Sequence, residues 1–383
     1  MDKDIYFMPL GGGQKVGASC YYLKLGESNL ILDAGKGMED GVIYNPDFYT
    51  LLTSPFLQSM NQIHQIYISH AHLDHVGYLL ELMAGMSEPK VYMTELTALL
   101  AEYQLYDKNF IYGAENREER RLAAQSLLEK VKKVNYLKPY EFSNYTVTFY
   151  PAGHIPGASM MLFEFGKKKI LYTGDYSLDK TALTGGCMLP KDQDIDVLIM
   201  CGLHAKHPDY VKKADGLYKT VHYAWKTVKQ TGKSAVCHVF QLSKGIEFVK
   251  TLAEKNDGTI PVYLDDRLMG VVQKLERLSV PVLDRNIRPL PEVLPMQPHI
   301  IVTGDRGVQY DSSYQHVNVN FSLHEDFEDM RKFIKQINPK TAVMVHCGKE
   351  NSLFDDTIEQ LVMRDGECRT QFIFAEEKEI YRL

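Results

Sequence analysis

Four side chains that can bind metal ions stand within six residues, in the segment HAHLDH at 70–75. His70 and His72 project to the same side of an extended segment, whereas Asp74 and His75 point elsewhere once the chain turns into a helix. The segment can therefore supply ligands to two adjacent cations. A solvated histidine-rich turn without chemistry is the alternative, and this spacing at a predicted strand-to-helix corner makes it the weaker interpretation.

Three further candidate ligands lie far from this segment. His154 stands in the loop PAGHIPGAS, Asp175 ends the apolar segment ILYTGD, and His346 ends TAVMVH. We predict two ligand sets: His70, His72, His154 and Asp175 for one cation, and Asp74, His75, Asp175 and His346 for the other. Imidazole and carboxylate ligands without a thiolate suit two divalent ions, first of all Zn²⁺, with Mn²⁺ and Fe as alternatives.

Hydrophobic periodicity predicts the elements that position these residues. Short strands are expected at 19–25, 29–35, 65–70, 145–152, 159–165 and 168–175, with helices at 74–85 and within 95–133. From 207 to 303 the pattern changes to a regular alternation, with helices at 209–230, 245–255 and 268–278 and strands at 234–240, 259–264 and 299–304. This alternation predicts a small doubly wound parallel sheet. The tail adds a helix at 324–337 and a strand at 341–346.

Composition narrows the class of protein. The chain has 383 residues, 45% of them hydrophobic and 24% charged, which is typical of a globular α/β protein of two or three units. No apolar run is long enough for a membrane span, and the N-terminus does not have the pattern of a signal peptide. The six cysteines are scattered without a C-x-x-C pair, so we expect a cytoplasmic location. The net charge of −6 argues mildly against non-specific nucleic-acid binding.

The motifs resemble those of the metallo-β-lactamase superfamily: LILDAG with Asp33, HAHLDH, His154, LYTGDYS with Asp175, and His346. The opening PLGGGQKVGAS and the segment FSLHEDFEDMRKFIKQINPKTAVMVHCGKE are similar to those of its β-CASP nuclease branch, which includes ribonuclease J and the mRNA 3′-end processing endonuclease. His324 matches the second extra motif of this branch and His346 the third. The acidic residue of the first extra motif is replaced by Cys201.

This resemblance implies a four-layer αββα metallo-β-lactamase sandwich with an inserted, abridged β-CASP α/β cap domain. The expected domains are the first part of the core at 1–205, the cap at 206–305 and the returning part of the core at 306–383. The resemblance also implies that Asp33 orients a histidine ligand without touching metal, that His324 is catalytic, and that Ser322 contacts a phosphate. In other members of this branch, the acidic residue holds the histidine that His324 matches. Its replacement by Cys201 therefore removes the partner expected for His324.

These features favour a metal-dependent phosphodiester hydrolase acting on single-stranded RNA or DNA, most of all RNA. Two divalent ions can activate a hydroxide and stabilise both the attacking and the leaving oxygen. Asp74 is expected to orient this nucleophile, and His324 to act as general acid or as a charge partner of the phosphate. The alternatives are a small-molecule hydrolase (of a thioester, a lactone or a cyclic phosphodiester) and a nucleic-acid-binding protein with a weakened site. The sequence leaves the oligomeric state open, a homodimer included.

The start of the cap has a basic bias with interleaved aromatic residues. Its lysines are Lys206, Lys212, Lys213, Lys219, Lys226, Lys229 and Lys233, and its aromatic residues are Tyr210, Tyr218, Tyr223 and Trp225. Such a surface can stack bases and follow phosphates along a single strand. The interpretation we favour from sequence is an amphipathic helix whose aromatic residues face the cap core and whose lysines face water.

Overall fold

The computed structural model describes residues 4–106, 117–191, 194–205, 213–239, 242–256, 258–305, 308–310, 312–348, 358 and 370–383. Strands and helices are mixed along the chain, so the predicted α/β class is confirmed. Within these residues, no helix combines the length and the apolar character that crossing a bilayer requires.

The first segment of the chain contributes most of one seven-stranded sheet. Its elements are β1 (Ile5–Gly11), β2 (Cys20–Leu25), β3 (Ser28–Leu32), β4 (Gly37–Glu39), β5 (Val42–Tyr44), α1 (Phe48–Leu52), β6 (Gln65–Tyr67), α2 (Leu73–Val76), α3 (Leu79–Ala84), β7 (Val91–Thr94), α4 (Glu95–Leu105), α5 (Arg117–Lys130) and β8 (Lys132–Val134). The strands β4 and β5 form a separate two-stranded hairpin.

The second segment contributes five strands to another sheet, namely β9 (Pro139–Glu141), β10 (Thr146–Pro151), β11 (Ser159–Phe165), β12 (Lys168–Tyr172) and β13 (Val197–Cys201). The tail of the chain then completes both sheets. Its elements follow those of the cap in the chain and are α9 (Phe327–Ile337), β19 (Thr341–Val345), β20 (Gln371–Phe374) and β21 (Tyr381–Arg382). The first sheet has the order β21-β1-β2-β3-β6-β7-β8, and the second β20-β19-β13-β12-β11-β10-β9.

The cap forms a third sheet of five strands between these two segments. Its elements are α6 (Lys213–Thr231), β14 (Ala235–Val239), α7 (Leu242–Lys255), β15 (Val262–Leu264), α8 (Asp266–Arg277), β16 (Ile287–Pro289), β17 (Ile300–Thr303) and β18 (Gln315–Val319). All pairings are parallel, in the order β16-β15-β17-β14-β18, which confirms the predicted parallel sheet. The last strand lies beyond residue 305, where we expected the cap to end.

The two large sheets pack against each other through alternate residues of their strands. Tyr21 of β2 meets Tyr172 of β12 at a ring-centroid distance of 5.8 Å, and Tyr67 at the end of β6 meets Phe163 of β11 at 5.4 Å. The next residue of β2, Tyr22, points to the other face of its sheet and belongs to a different buried cluster, which includes helical residues. This alternation follows from the two-residue period of a strand, whose successive side chains point to opposite faces.

Two helices differ from their predicted bounds, for identifiable local reasons. The helix expected at 74–85 is divided into α2 and α3, because Gly77 ends the first of them. The helix expected at 324–337 begins only at Phe327, since the Asp326 carboxylate accepts a hydrogen bond from the Asp329 N–H and caps it there. His324 therefore lies in the loop before the helix.

The aromatic residues of α6 are divided between the cap core and the surface. Trp225 is partly buried against the aliphatic core, as expected, whereas Tyr218 and Tyr223 are 47% and 59% exposed. Lys219, Lys226, Lys229 and Lys233 are exposed, as expected, but Lys213 is fully buried and takes no part in a basic surface. Lys206, Tyr210 and Lys212 lie outside the described part of the chain.

Candidate metal centre

The predicted site residues follow strands whose carboxyl ends meet at one edge of the two sheets. His70 comes after β6, His154 after β10, Asp175 after β12 and His346 after β19. In the second sheet β12, β13 and β19 are parallel neighbours, so their ends lie side by side. Residues separated by more than 270 positions in the chain are thereby brought to one place.

The helix that carries Asp74 and His75 lies in direct backbone contact with the loop after β3. The Ser19 and Ala34 N–H groups donate to the carbonyls of Asp74 and His75, both at 2.8 Å. A Cβ atom on Gly35 would lie 1.7 Å from the Asp74 carbonyl oxygen, so only glycine permits this approach. The close contact fixes the position of α2 in the first sheet.

The first predicted ligand set converges on the carboxylate of Asp175. Its Oδ2 atom lies 3.6 Å from His70 Nε2 and 3.7 Å from His154 Nε2. Nδ1 of His72 faces Nε2 of His154 at 3.1 Å. One ligand-type atom from each of these four residues lies within 4.8 Å of the others.

The second predicted set is adjacent to the first and is joined to it through the same carboxylate. Donor atoms of Asp74, His75 and His346 lie within 4.8 Å of one another, with 3.7 Å between His346 Nε2 and Asp74 Oδ2. His75 Nε2 lies 3.4 Å from Asp175 Oδ2. Asp175 thus stands between the two groups, where a bridging ligand would be required.

Hydrogen bonds hold the outward ring nitrogens of the histidines that lie deepest. Asp33 Oδ2 accepts from His75 Nδ1 at 2.7 Å, and the Leu323 carbonyl accepts from His154 Nδ1 at 2.8 Å. The Ser69 hydroxyl donates to Asp33, so its lone pair is left to accept from His70 Nδ1 at 3.0 Å. Each bond places the ring proton on the outer nitrogen, and the inner nitrogen keeps a free lone pair.

The remaining two histidines of the sets have hydroxyl partners. His346 Nδ1 lies 2.8 Å from Ser19 Oγ, and His72 Nε2 lies 2.8 Å from Ser243 Oγ in α7 of the cap. His346 has a φ of 53°, a backbone conformation that residues other than glycine rarely adopt. Such local strain is common at functional sites, where surrounding contacts compensate for it.

Burial and the nearby charges shift the pKa values of these groups in different directions. Burial lowers the pKa of His72 to about 4, and burial together with the neighbouring His75 lowers the pKa of His70. Burial alone would also lower the pKa of His75, but the charges of Asp175 and Asp33 outweigh it and raise that pKa. The pKa of Asp175 is lowered although burial opposes this, because His75, His346 and His324 surround the carboxylate.

The unpaired atoms at the centre fit divalent cations. Among the residues that the structure describes, Nε2 of His70, Nε2 of His75 and both oxygens of Asp175 find no hydrogen-bond partner although they are buried, where such atoms are normally paired. They point towards one another, and the outer nitrogens of both rings are already bonded. A cation coordinated by these lone pairs would satisfy all of them, as in sites where partners of the outer nitrogen orient the ligands.

Asp33 supports this centre from outside. Its carboxylate accepts hydrogen bonds from the Ser69 N–H at 2.6 Å, the Ser69 hydroxyl at 2.7 Å and the Tyr172 hydroxyl at 2.5 Å, in addition to that from His75. The side chain is fully buried. The structure therefore places Asp33 against a predicted ligand and away from the central atoms, in the position that the motif resemblance implies.

Replacing Asp33 with alanine is expected to lower the free energy of unfolding of the metal-free protein by about 3 kcal/mol or more, since several buried donors lose their acceptor. Urea unfolding measures this. Asp4→Ala is a matched control, because the exposed Asp4 pairs only with Arg382 at the surface and its loss should cost less than about 1 kcal/mol. Equal unfolding midpoints for the two variants would contradict the support role.

His324 lies on the open side of the first cluster. Its Nε2 atom is 3.7 Å from Asp175 Oδ2, and its ring centroid is 4.5 Å from that of His154. Cys201, at the end of β13, lies close enough that its sulfur, an Asp175 oxygen and a His324 nitrogen are within 4.8 Å of one another. Burial, with the charge of Asp175, raises the pKa of the Cys201 thiol, so the thiol beside His324 is neutral.

Ser322 is turned towards the backbone of its neighbour. Its hydroxyl accepts from the His324 N–H at 3.1 Å and donates to the His324 carbonyl at 3.4 Å. These bonds stabilise the loop that presents His324. The predicted contact of Ser322 with a phosphate stays a prediction.

Sequence reasoning named Asp33 as a partner of a histidine ligand but missed the other partners of the outer nitrogens. Ser19 and Leu323 lie within the quoted motifs PLGGGQKVGAS and FSLHEDFEDMRKFIKQINPKTAVMVHCGKE, and Ser69 directly precedes His70, so each of these had a positional signal. Ser243 lies in the cap without such a signal, and only the folded chain shows its contact with His72.

The fold combines two large sheets with an inserted parallel α/β unit, and buried histidines and aspartates lie at one edge of the large sheets. These features define an α/β protein with a candidate two-cation site. A family model described as "Anti-Pycsar protein Apyc1" matches residues 15–207, about half of the chain. The chain belongs to that family and, with its cap and its relatives, to the β-CASP branch of the metallo-β-lactamase superfamily.

The relatives come from archaea and eukaryotes. The chain is 30% identical over 263 residues to RNase aCSPSF2 of Saccharolobus solfataricus, covering 68% of this chain and 51% of that protein. It is 29% identical over 270 residues to the probable RNase MJ4 of Methanocaldococcus jannaschii, covering 69% and 60%. It is also 29% identical over 299 residues to Integrator complex subunit 11 of Danio rerio, covering 74% and 48%. The chain thus spans about half the length of these relatives.

A solved structure shares the fold over the whole chain. The crystal structure of a protein of unknown function from Enterococcus faecalis V583 has a TM-score of 0.67 and 14% sequence identity, covering 99% of this chain and 100% of that one. At this identity the likeness concerns the fold alone.

Proposed function

We propose that this protein is a metal-dependent phosphodiester hydrolase that cleaves single-stranded RNA. The observation that carries the proposal is the convergence of the two ligand sets, with buried inward-facing atoms left unpaired and the outer nitrogens held. Three relatives that carry RNase or endoribonuclease in their names support the substrate class. The basic and aromatic exposed face of α6 is also suited to a single strand.

His70, His72, His154 and Asp175 would hold one cation, and Asp74, His75, Asp175 and His346 the other. Zn²⁺ suits this donor set best, with Mn²⁺ or Fe as alternatives. When bound, such a pair of cations supplies a nucleophile at neutral pH and stabilises negative charge on the phosphate.

The two proposed catalytic side chains are more exposed than the most deeply buried residues of the ligand sets. The side chains of His70, His75, His154 and Asp175 are at most 1% exposed, whereas Asp74 is 30% and His324 16% exposed. Asp74 can accept a hydrogen bond from the attacking water and orient it. His324, on the opposite side of Asp175, can donate a proton to the leaving oxygen. Ser322 is assigned a phosphate contact by resemblance only.

The proposal extends to the architecture. We assign a four-layer αββα core to residues 1–205 and 306–383 and the cap to 206–305, with β18 joining the cap sheet from beyond that boundary. The described cysteines are free thiols, which suits a reducing compartment, and we assign the protein to the cytoplasm.

The test uses one single-stranded RNA labelled at either the 5′ or the 3′ end, and single-stranded DNA of the same sequence. The protein is stripped with a chelator and then reloaded with Zn²⁺ or Mn²⁺. We expect cleavage of RNA by the reloaded protein and none by the stripped protein. A ladder of products indicates endonuclease action, and progressive loss of the label indicates exonuclease action.

The same preparation is given a thioester, a lactone and a cyclic phosphodiester. Turnover of one of these without cleavage of any strand would replace the proposal with that of a small-molecule hydrolase. Binding of RNA with no turnover of any substrate would indicate a binding protein with a weakened site.

A further inference from the structure

Two helices of the cap contact the first ligand set directly. Ser243, in the first turn of α7, places its hydroxyl oxygen 2.8 Å from Nε2 of His72. The serine is 4% exposed, so solvent hardly competes for this bond. With Nδ1 of His72 facing the cluster, Nε2 must carry the ring proton and donate it to Ser243.

The first residue of α6 holds the loop of a second ligand. The Lys213 ammonium donates to the carbonyls of Gly153 and His154 at 3.0 and 2.8 Å and to the Thr184 hydroxyl at 3.0 Å. Gly153 has a φ of 72°, and a Cβ there would lie 2.4 Å from neighbouring backbone atoms, so this loop has a tightly fixed path. Lys213 thus donates hydrogen bonds to two carbonyl oxygens of this loop and fixes its position.

An ion pair joins the two contacts. Glu247 lies one turn after Ser243 on α7, on the same face of the helix, and its Oε1 atom is 3.3 Å from the Lys213 ammonium. Both side chains are fully buried, and the Thr181 and Thr184 hydroxyls also donate to Glu247. Separating such a pair would leave two uncompensated charges out of water, which is strongly unfavourable.

We infer that docking of the cap sets the metal affinity of the first ligand set, with Ser243 as the positioning residue of His72 and the Lys213–Glu247 pair as that of His154. This inference rests on the proposed metal site. It assigns to the cap a role besides that of a substrate surface: a cap displaced from the core releases two of the four ligands of one cation and leaves the second set intact.

The first experiment compares two variants that each remove one buried hydroxyl from α7. Ser243→Ala removes the partner of His72, whereas Thr251→Val removes a hydroxyl that bonds to the Glu247 carbonyl of its own helix. We expect the dissociation constant of the more weakly held Zn²⁺ to rise about tenfold or more in Ser243→Ala, as for other partners of metal-bound histidines, and to stay unchanged in Thr251→Val. Titration against a chromophoric chelator measures both.

A spectroscopic readout separates positioning from general stability. The d–d bands of the Co²⁺-loaded protein should change in Ser243→Ala and return towards those of the parent in Ser243→Thr, which keeps the hydroxyl. Thermal unfolding of the metal-free variants should match within a few degrees. Identical affinity and spectra for Ser243→Ala and Thr251→Val would overturn the inference.

The ion pair is tested without leaving a lone buried charge. Lys213→Met with Glu247→Gln keeps the shape and gives the Thr181 and Thr184 hydroxyls an acceptor. We expect this double variant to fold and to bind one cation as tightly as the parent and the other about tenfold more weakly. Unchanged affinity for both cations would overturn the role of the pair.

His70→Ala, measured in the same titrations, distinguishes this inference from the proposed function. If His70→Ala still binds two cations, the ligand assignment fails. If it loses one cation while Ser243→Ala and the double variant bind like the parent, the assignment stands and the inference about the cap fails.

Discussion

Replacing Asp175 with alanine is expected to abolish hydrolysis, with activity down by about 10³-fold or more, and to reduce the bound metal to half of the parent value or below. The reason lies in the position of the carboxylate, whose Oδ2 atom is within 3.7 Å of His70, His75 and His154. It is the one side chain shared by both predicted ligand sets. Without it, the Asp74 carboxylate alone is left to offset the charge of two adjacent cations, and it belongs to only one of the two sets.

His72→Ala should have the same effect on activity but should weaken the first cation alone. Metal analysis after dialysis, together with RNA cleavage, measures both variants. Asp4→Ala again serves as the control, because this aspartate pairs with Arg382 at the surface. An Asp175→Ala protein that keeps full metal and turnover would overturn the ligand assignment.

The ligand residues could be predicted from sequence because their chemistry is local. HAHLDH places four donors within six residues, and Asp175 and His346 each end an apolar segment, which was sufficient to propose two ligand sets. The alternation of β/α elements likewise predicted the parallel cap sheet. Hydrophobic periodicity reports which face of an element is buried, and that is sufficient for both predictions.

Apart from Asp33, which the motif resemblance implied, the partners of the candidate ligands depend on tertiary contacts and were not predicted. Lys213 was grouped with surface lysines because it stands in a basic stretch, yet the fold turns it inward onto Glu247, 34 positions later. A lysine is rarely buried unless paired, and nothing in the local sequence identified the pair. In the same way, Tyr218 and Tyr223 were expected in the cap core, but aliphatic residues at helical spacing already fill that space.

The His324→Ala variant is expected to lose turnover of RNA by about 10²- to 10⁴-fold and to keep the full metal content. Burial lowers the pKa of His324 to about 3, against the attraction of Asp175. The negative charge of a bound phosphate favours the protonated imidazole, so His324 can take up the proton that it donates once the substrate is bound. Its Nδ1 atom is buried without a hydrogen-bond partner, unlike the outer nitrogens of the histidine ligands. His324 is thus held less firmly than a ligand and stands nearer to solvent, as a group that meets the substrate should.

A substrate with a good leaving group tests the role directly. A p-nitrophenyl phosphodiester of a nucleoside releases a stable phenolate that needs no proton, so the defect of His324→Ala should shrink to about tenfold or less. His64→Ala, which changes an exposed histidine before β6, controls for preparation and should behave like the parent. An equal loss on both substrates would mean that His324 stabilises charge on the phosphate. Loss of metal would instead make His324 a ligand, together with Asp175 and Cys201, which lie within coordinating distance of it.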